Sequence, residues 1–91
     1  MRPPPPPPSD IIGLSGLAFL AGSPTDFERF LGVSGLAAED LRARAGEPQV
    51  LAGVLDFLLG NDLLLLAFCE AESLDPRDVH RAAADLSGRQ P

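Results

Sequence analysis

Residues 48–76 read PQVLAGVLDFLLGNDLLLLAFCEAESLDP, and this stretch carries the start and end signals of successive helices. Pro48 suits the first turn of a helix, where its missing N–H is no loss, and Gly60 follows the last apolar turn. Asn61 is a strong N-cap residue for the next helix, and Asp75, followed by a proline, caps another. The stretch therefore predicts consecutive short helices.

Similar signals outside this stretch raise the total to six helices. Ser9 or Asp10 can cap a first helix, Ser23 with a proline behind it caps a second that ends near Gly32, and Gly88 lies beyond the sixth. No segment shows the apolar–polar alternation of a strand. The fold class is thus all-α, a compact bundle of five or six short helices. The predicted bounds are approximately 10–21, 24–31, 37–45, 49–59, 62–72 and 76–87.

The chain divides into a tail and one folded unit. A chain of 91 residues is long enough for one domain, and we assign it to residues 10–88. Residues 1–9 are predicted to be a disordered proline-rich tail, because the prolines at 3–8 cannot enter a helix or a packed core. Arg2 and these prolines also match the Arg-x-x-Pro-x-x-Pro pattern of ligands for SH3-type grooves, but any arginine that precedes a run of prolines matches it.

Charge and composition exclude several function classes. The net charge is −6 and there is no lysine, so a phosphate backbone would be repelled and nucleic acid is not an expected partner. The absence of lysine also excludes Schiff-base chemistry and a P-loop lysine. A single cysteine cannot form an intramolecular disulfide, which fits a reducing cytoplasm.

Neither a signal peptide nor a membrane span is expected. The apolar stretch at 11–21 begins beside Asp10, and Phe19 occupies a position that a cleavage site reserves for a small side chain. The longest uninterrupted apolar run, Leu63–Cys69, is far shorter than the roughly 20 residues that a span needs. We therefore expect a cytoplasmic protein without a membrane partner.

The chain resembles itself when it is shifted by 38 residues. Residues 11–46 then lie over 49–84 without a gap, and the helix ends and caps fall in register. This register predicts two three-helix units with pseudo-two-fold symmetry, and it places the first and fourth helices at the centre. Leucine-rich helices of equal length would also resemble one another through composition alone. The identical pairs are Leu17/Leu55, Phe19/Phe57, Leu20/Leu58, Gly22/Gly60, Phe30/Phe68, Leu36/Leu74, Asp40/Asp78 and Ala45/Ala83.

The residues that could perform catalysis are few, and none has a partner that the sequence can place. His80 falls on a polar helix position in the repeat register and is expected to be exposed. Cys69 aligns with Leu31 and is expected to be buried. The acidic pairs lie in first turns of helices, where acids stabilise free N–H groups. We therefore expect a protein that is not an enzyme and has no catalytic residues, metal or cofactor.

One acidic residue lacks an obvious structural role. Asp56 lies in mid-helix, and Gly53 and Gly60 share its face. Because glycine inside a helix costs about 1 kcal/mol relative to alanine, a face of small residues often admits a partner. Asp56 is expected either to lie exposed on a shallow groove or to pair with Arg42 or Arg44. A solvated polar stripe is the alternative.

The arginines of the first half form the second candidate interaction set. Residues 11–46 carry a net charge of −1 and residues 49–84 a net charge of −4. Arg29, Arg42 and Arg44 therefore give the first half the more plausible anion-facing surface, although three arginines also suit an ordinary solvated face.

Residues 30–76 resemble a known protein family. The motifs are LRARA at 41–45, VLDFL at 54–58 and AFC at 67–69, and the likeness starts near Leu17. They are similar to a small proteobacterial family known as domain of unknown function 3572. The resemblance implies a helical protein of this size with no assigned reaction or cofactor, so it carries over no functional residue. Members are sometimes encoded near a single-domain response regulator of cell-cycle signalling, which implies a regulatory setting.

These observations together predict a small non-enzymatic module that binds another protein through a helical face. A binding domain for a small ligand or anion, using the Asp56 face or the three arginines, is the alternative. The partner is expected to be a protein, with a signalling response regulator as one expectation from the resemblance, and the chain itself is expected to be a monomer or a homodimer.

Overall fold

The computed structural model describes residues 5–89, which form six helices and, within that range, no strand. The all-α fold class is therefore confirmed. Residues 5–8 have no regular secondary structure, and the part of the predicted disordered tail at 1–4 lies outside the described residues. The helices are α1 (Ser9–Ala21), α2 (Pro24–Ser34), α3 (Ala38–Arg44), α4 (Pro48–Leu59), α5 (Asp62–Glu72) and α6 (Pro76–Gly88).

Local side-chain hydrogen bonds start two of these helices as predicted. The Asn61 side chain accepts a hydrogen bond from the backbone N–H of Leu64 at 3.2 Å. Asp75 and Asp78 form a capping box at the start of α6. The Asp78 side chain accepts a hydrogen bond from the backbone N–H of Asp75, and the Asp75 side chain accepts one from the backbone N–H of Arg77. Ser23 occupies the N-cap position of α2 but its side chain makes no capping hydrogen bond. The structure thus confirms the cap positions of Ser23, Asn61 and Asp75, although Ser23 forms no capping hydrogen bond; the cap predicted at Ser9 or Asp10 is wrong.

Six predicted helix ends need correction. α3 spans Ala38–Arg44 instead of 37–45, and α4 begins at Pro48 instead of residue 49. α1 begins at Ser9, inside the segment assigned to the tail, and Pro8 is its N-cap residue. α2 continues through Gly32 to Ser34, because a single glycine costs only about 1 kcal/mol and Gly35, at φ 75°, provides the left-handed residue that ends the helix. α6 includes Gly88 instead of ending before it.

The core is built around α1, α4 and α6. α1 and α4 pack on each other as predicted, and α6 packs against both. At the α1–α4 crossing, Gly13 lies so close to Leu51 that a Cβ added to Gly13 would be 2.8 Å from the Leu51 Cβ. A Cβ added to Gly16 would be 3.2 Å from methyl carbons of Val54, Leu55 and Leu58. These two glycines let the central helices approach each other closely.

Two aromatic pairs tie the halves of the chain together and follow the 38-residue register. The rings of Phe19 and Phe68 have centroids 5.5 Å apart, and those of Phe57 and Phe30 are 5.6 Å apart. A shift of 38 residues converts Phe19 into Phe57 and Phe30 into Phe68. The central helix of each half therefore contacts the second helix of the other half. The bounds of α2 and α5, 24–34 and 62–72, also differ by 38 at both ends.

The correspondence between the halves weakens at the third helix. α3 and α6 begin 38 residues apart, but α3 ends at Arg44 and α6 continues to Gly88. α6 packs along both central helices, whereas within residues 5–89 no helix packs extensively along α3. α3 is anchored by Leu41, which is buried. The third helix therefore covers the central helix less completely in the first half than in the second.

Within residues 5–89, no single helix is long and apolar enough to cross a membrane. α4 and α5 have the necessary length and composition when taken together, but they are bent by 112° at their junction.

Candidate functional site

A surface groove lies between α1, α2 and the length of α3, and we call it the α1/α3 groove. Its volume is about 470 Å³. Arg42 contributes the charged part of its lining. The remaining lining side chains are all apolar, namely Leu17, Ala21, Phe27, Ala38, Leu41 and Ala45.

Arg42 differs from the other arginines that the structure describes, because within residues 5–89 it alone forms no ion pair. Its side chain is exposed beside the apolar wall. The paired arginines are Arg29 with Asp26, Arg44 with Glu47, Arg77 with Asp75, Arg81 with Asp78, and Arg89 with Asp10 and Asp85.

A smaller groove on the other side of α3, the α3/α4 groove, has a more polar lining. Its volume is about 230 Å³. The Arg44 Nε donates to Glu47 at 2.9 Å, so part of its guanidinium is already engaged within the chain. The groove is lined by Phe30, Ser34, Leu36, Arg44, Gln49, Val50 and Gly53.

The structure does not bring Asp56, Gly53 and Gly60 together in one groove. Gly53 lines the α3/α4 groove, whereas Asp56 and Gly60 line neither groove. Asp56 is exposed, and within residues 5–89 it has no ion pair with an arginine. Of the two predicted arrangements, the pairing with Arg42 or Arg44 is therefore not observed in the described part of the chain; Asp56 is exposed and lines neither the α1/α3 nor the α3/α4 groove.

Replacing Asp56 with alanine is expected to change the free energy of unfolding by less than about 0.5 kcal/mol, as is typical of an exposed site without partners. Urea denaturation followed by circular dichroism measures this change. Destabilisation by roughly 3 kcal/mol would contradict the exposed position, because only the loss of a buried charge pair has an effect of that size.

The three arginines of the first half are also divided among different sites. Arg42 lines the α1/α3 groove and Arg44 lines the α3/α4 groove. Arg29 lies exposed on α2, where its Nη1 is 3.7 Å from Oδ1 of Asp26. They do not converge on one point where a single anion could contact all of them. Of the candidate interaction set, Arg42 is the arginine that lies beside an apolar surface and has no ion-pair partner among residues 5–89.

Cys69 and His80 occupy the environments that the sequence predicted. Cys69 is buried, and burial raises the pKa of its thiol, with smaller contributions from Asp75 and Asp78. His80 is exposed on α6 and lines neither groove. A raised pKa leaves Cys69 a neutral thiol at physiological pH, which makes it a poor nucleophile.

Among the acidic residues within 5–89, Asp75 and Asp78 cap the start of α6, and no cluster forms a metal site. A hydrogen bond from the Arg77 side chain, with one from its backbone, lowers the pKa of Asp75. A hydrogen bond with Ser9 lowers the pKa of Asp85. No group of three or more His, Cys, Asp or Glu side chains that could hold a metal occurs in the part of the chain that the structure describes.

The α1/α3 groove itself was not predicted from sequence. Leu17, Ala21 and Phe27 read as ordinary core positions of apolar helices, so nothing in the local pattern distinguishes them. The repeat register contained a signal for it. Gly46 follows the end of α3, whereas the matching residue, Ala84, lies inside α6, so the third helix of the first half is shorter than that of the second. A third helix that ends early leaves part of the adjoining surface of α1 uncovered.

A family model described as protein of unknown function (DUF3572) matches residues 8–89. Comparison with curated proteins and with solved structures gave no match. The matched region includes all six helices and both grooves, and it agrees with the resemblance seen in the motifs at 41–45, 54–58 and 67–69. The chain therefore belongs to the DUF3572 family.

Proposed function

We propose that this chain is a non-enzymatic, cytoplasmic protein-interaction module that binds a segment of another protein in the α1/α3 groove. The observation that carries the proposal is an apolar groove of about 470 Å³ with Arg42 on its lining, an arginine that forms no ion pair within residues 5–89. Apolar surface next to one charged donor is typical of sites that bind through contact area and orient the ligand through one polar group. A signalling response regulator is the first protein to test as a partner.

A non-enzymatic role is supported by the positions of the two reactive side chains. Cys69 is buried and its thiol pKa is raised, while His80 lies exposed on α6. General-base activation of a nucleophile needs the two groups within hydrogen-bond reach on an accessible surface. The arrangement of these side chains favours binding over catalysis.

An affinity-capture experiment with matched variants tests this function. Ala21→Phe fills the α1/α3 groove, and Ala18→Phe adds the same ring to an exposed position of α1 that does not line the groove. Immobilised wild-type protein and Ala18→Phe are expected to retain the same protein from a lysate of the source organism. Ala21→Phe is expected to retain at least tenfold less. Equal retention by all three proteins, or retention of none, would contradict the proposal.

The α3/α4 groove supports a second candidate function, the binding of a small ligand or anion. Three polar side chains, Ser34, Arg44 and Gln49, line its volume of about 230 Å³. Inorganic phosphate and a panel of carboxylic acids would be tested by thermal shift, with Arg44→Gln as the control. Stabilisation of the wild type that is lost in Arg44→Gln would support this candidate.

A further inference from the structure

The α1/α3 groove lies between α1 and α3, and α3 is the shorter counterpart of α6 in the second half. In the 38-residue register, Leu14, Leu17 and Ala21 of α1 correspond to Ala52, Leu55 and Leu59 of α4. Each set has the spacing i, i+3, i+7 and so forms one row along its helix. Leu17 and Ala21 line the groove.

The two rows differ in how far they are covered. Leu14 is 41% exposed, whereas its counterpart Ala52 is 2% exposed. Leu55 is fully buried while its counterpart Leu17 is half-buried. α6 packs along α4 in the second half, whereas its counterpart α3 is shorter and, within residues 5–89, packs extensively on neither central helix. The row on α1 is thus the uncovered equivalent of a surface that an amphipathic helix covers elsewhere in this fold.

The covering helix shows which chemistry fits such a row. The buried side chains of α6 are Val79, Ala82, Ala83 and Leu86, with spacing i, i+3, i+4, i+7, as in helices that bind in grooves. Asp78 and Asp85 each precede one of these side chains by one position and lie along the same flank of the helix. An acidic flank is electrostatically complementary to Arg42, whose guanidinium has no ion-pair partner in residues 5–89.

We propose that the α1/α3 groove binds an amphipathic helix of a partner protein, with small apolar residues at i, i+3, i+4, i+7 and an acidic residue on the flank that faces Arg42. The bound helix covers Leu17, Ala21 and Phe27 as α6 covers α4. This inference rests on the proposed function and adds the conformation and charge of the partner segment.

The probe is a fluorescein-labelled peptide with the sequence of residues 75–88, DPRDVHRAAADLSG, which carries its own capping box, the four apolar positions and the flanking acids. Fluorescence anisotropy against the full-length protein is expected to show saturable binding with Kd on the order of 100 μM, typical of one short helix. Ala21→Phe is expected to weaken binding at least tenfold, and Ala18→Phe is expected to change it less than twofold.

Charge variants test the role of Arg42. Arg42→Glu is expected to weaken binding of the peptide about fivefold or more, and to do so less at high salt. Arg29→Glu changes an arginine that does not line the groove and is expected to change the Kd less than twofold. Equal losses for both variants would indicate a general electrostatic attraction and overturn the proposal.

Two further results would overturn the inference. Absence of saturable peptide binding up to about 1 mM would do so, and the proposed function would still stand if the protein captured from lysate depends on Ala21. Sedimentation that shows wild-type dimers and Ala21→Phe monomers would identify a second copy of this chain as the occupant. Loss of both peptide binding and groove-dependent capture would remove the proposed function as well.

Discussion

Replacing Phe68 with alanine is expected to destabilise the fold by about 3–5 kcal/mol, the range for truncating a fully buried aromatic side chain. Phe68 has no exposed surface and packs against Phe19 across the boundary between the two halves. Since a chain of this size has a free energy of unfolding of roughly 5–14 kcal/mol, the loss is a large part of the total. Urea denaturation followed by far-UV circular dichroism measures it.

Phe27 provides the control for this substitution. It is half-buried and lines the α1/α3 groove, so its ring already faces solvent on one side. Phe27→Ala is expected to cost less than about 2 kcal/mol, because less apolar surface is exposed to water by the change. Similar losses at both positions would mean that α5 is not packed across the halves as the structure shows.

The second large effect is expected at the α1–α4 crossing. Gly13→Ala is expected to destabilise the protein by about 1–3 kcal/mol through overpacking, even though alanine favours a helix by up to about 1 kcal/mol. The new Cβ would lie 2.8 Å from the Leu51 Cβ, an atom fixed to the α4 backbone, so the helices themselves must separate. Thermal and urea denaturation both report this loss.

Gly53→Ala is the matched control, because the same change is made in a central helix without a clash. No atom lies within 4 Å of a Cβ built on Gly53. This variant is expected to be more stable than the wild type by about 0.5–1 kcal/mol, through helix propensity alone. Opposite signs for the two variants are the expected pattern. Stabilisation by both would show that α1 and α4 lie further apart than in the structure.

Gly53 also bears on the interpretation of the small-residue face around Asp56. If Gly53→Ala stabilises the chain, then folding does not require this glycine. The structure places Gly53 on the α3/α4 groove and leaves Asp56 outside both grooves. A shared face on one helix was therefore not sufficient to define a site, because the site depends on what the neighbouring helices cover.

The sequence alone determined the features that depend on interactions within a few residues. Asn61 caps α5 and Asp75 forms a capping box with Asp78 because their hydrogen bonds reach only two or three residues along the chain. The burial of Cys69 and the exposure of His80 also followed from their positions in the 38-residue register. Helix number and most helix bounds belong to the same class of local information.

Only the tertiary structure decided how the helices cover one another. The separation of α1 and α4 at Gly13, the packing of α6 along α4, and the exposure of the matching row on α1 all depend on contacts between distant segments. Arg42 and Arg44 illustrate the difference. They are two residues apart in sequence, yet they line grooves on opposite sides of α3, because residues at i and i+2 of a helix do not share a face.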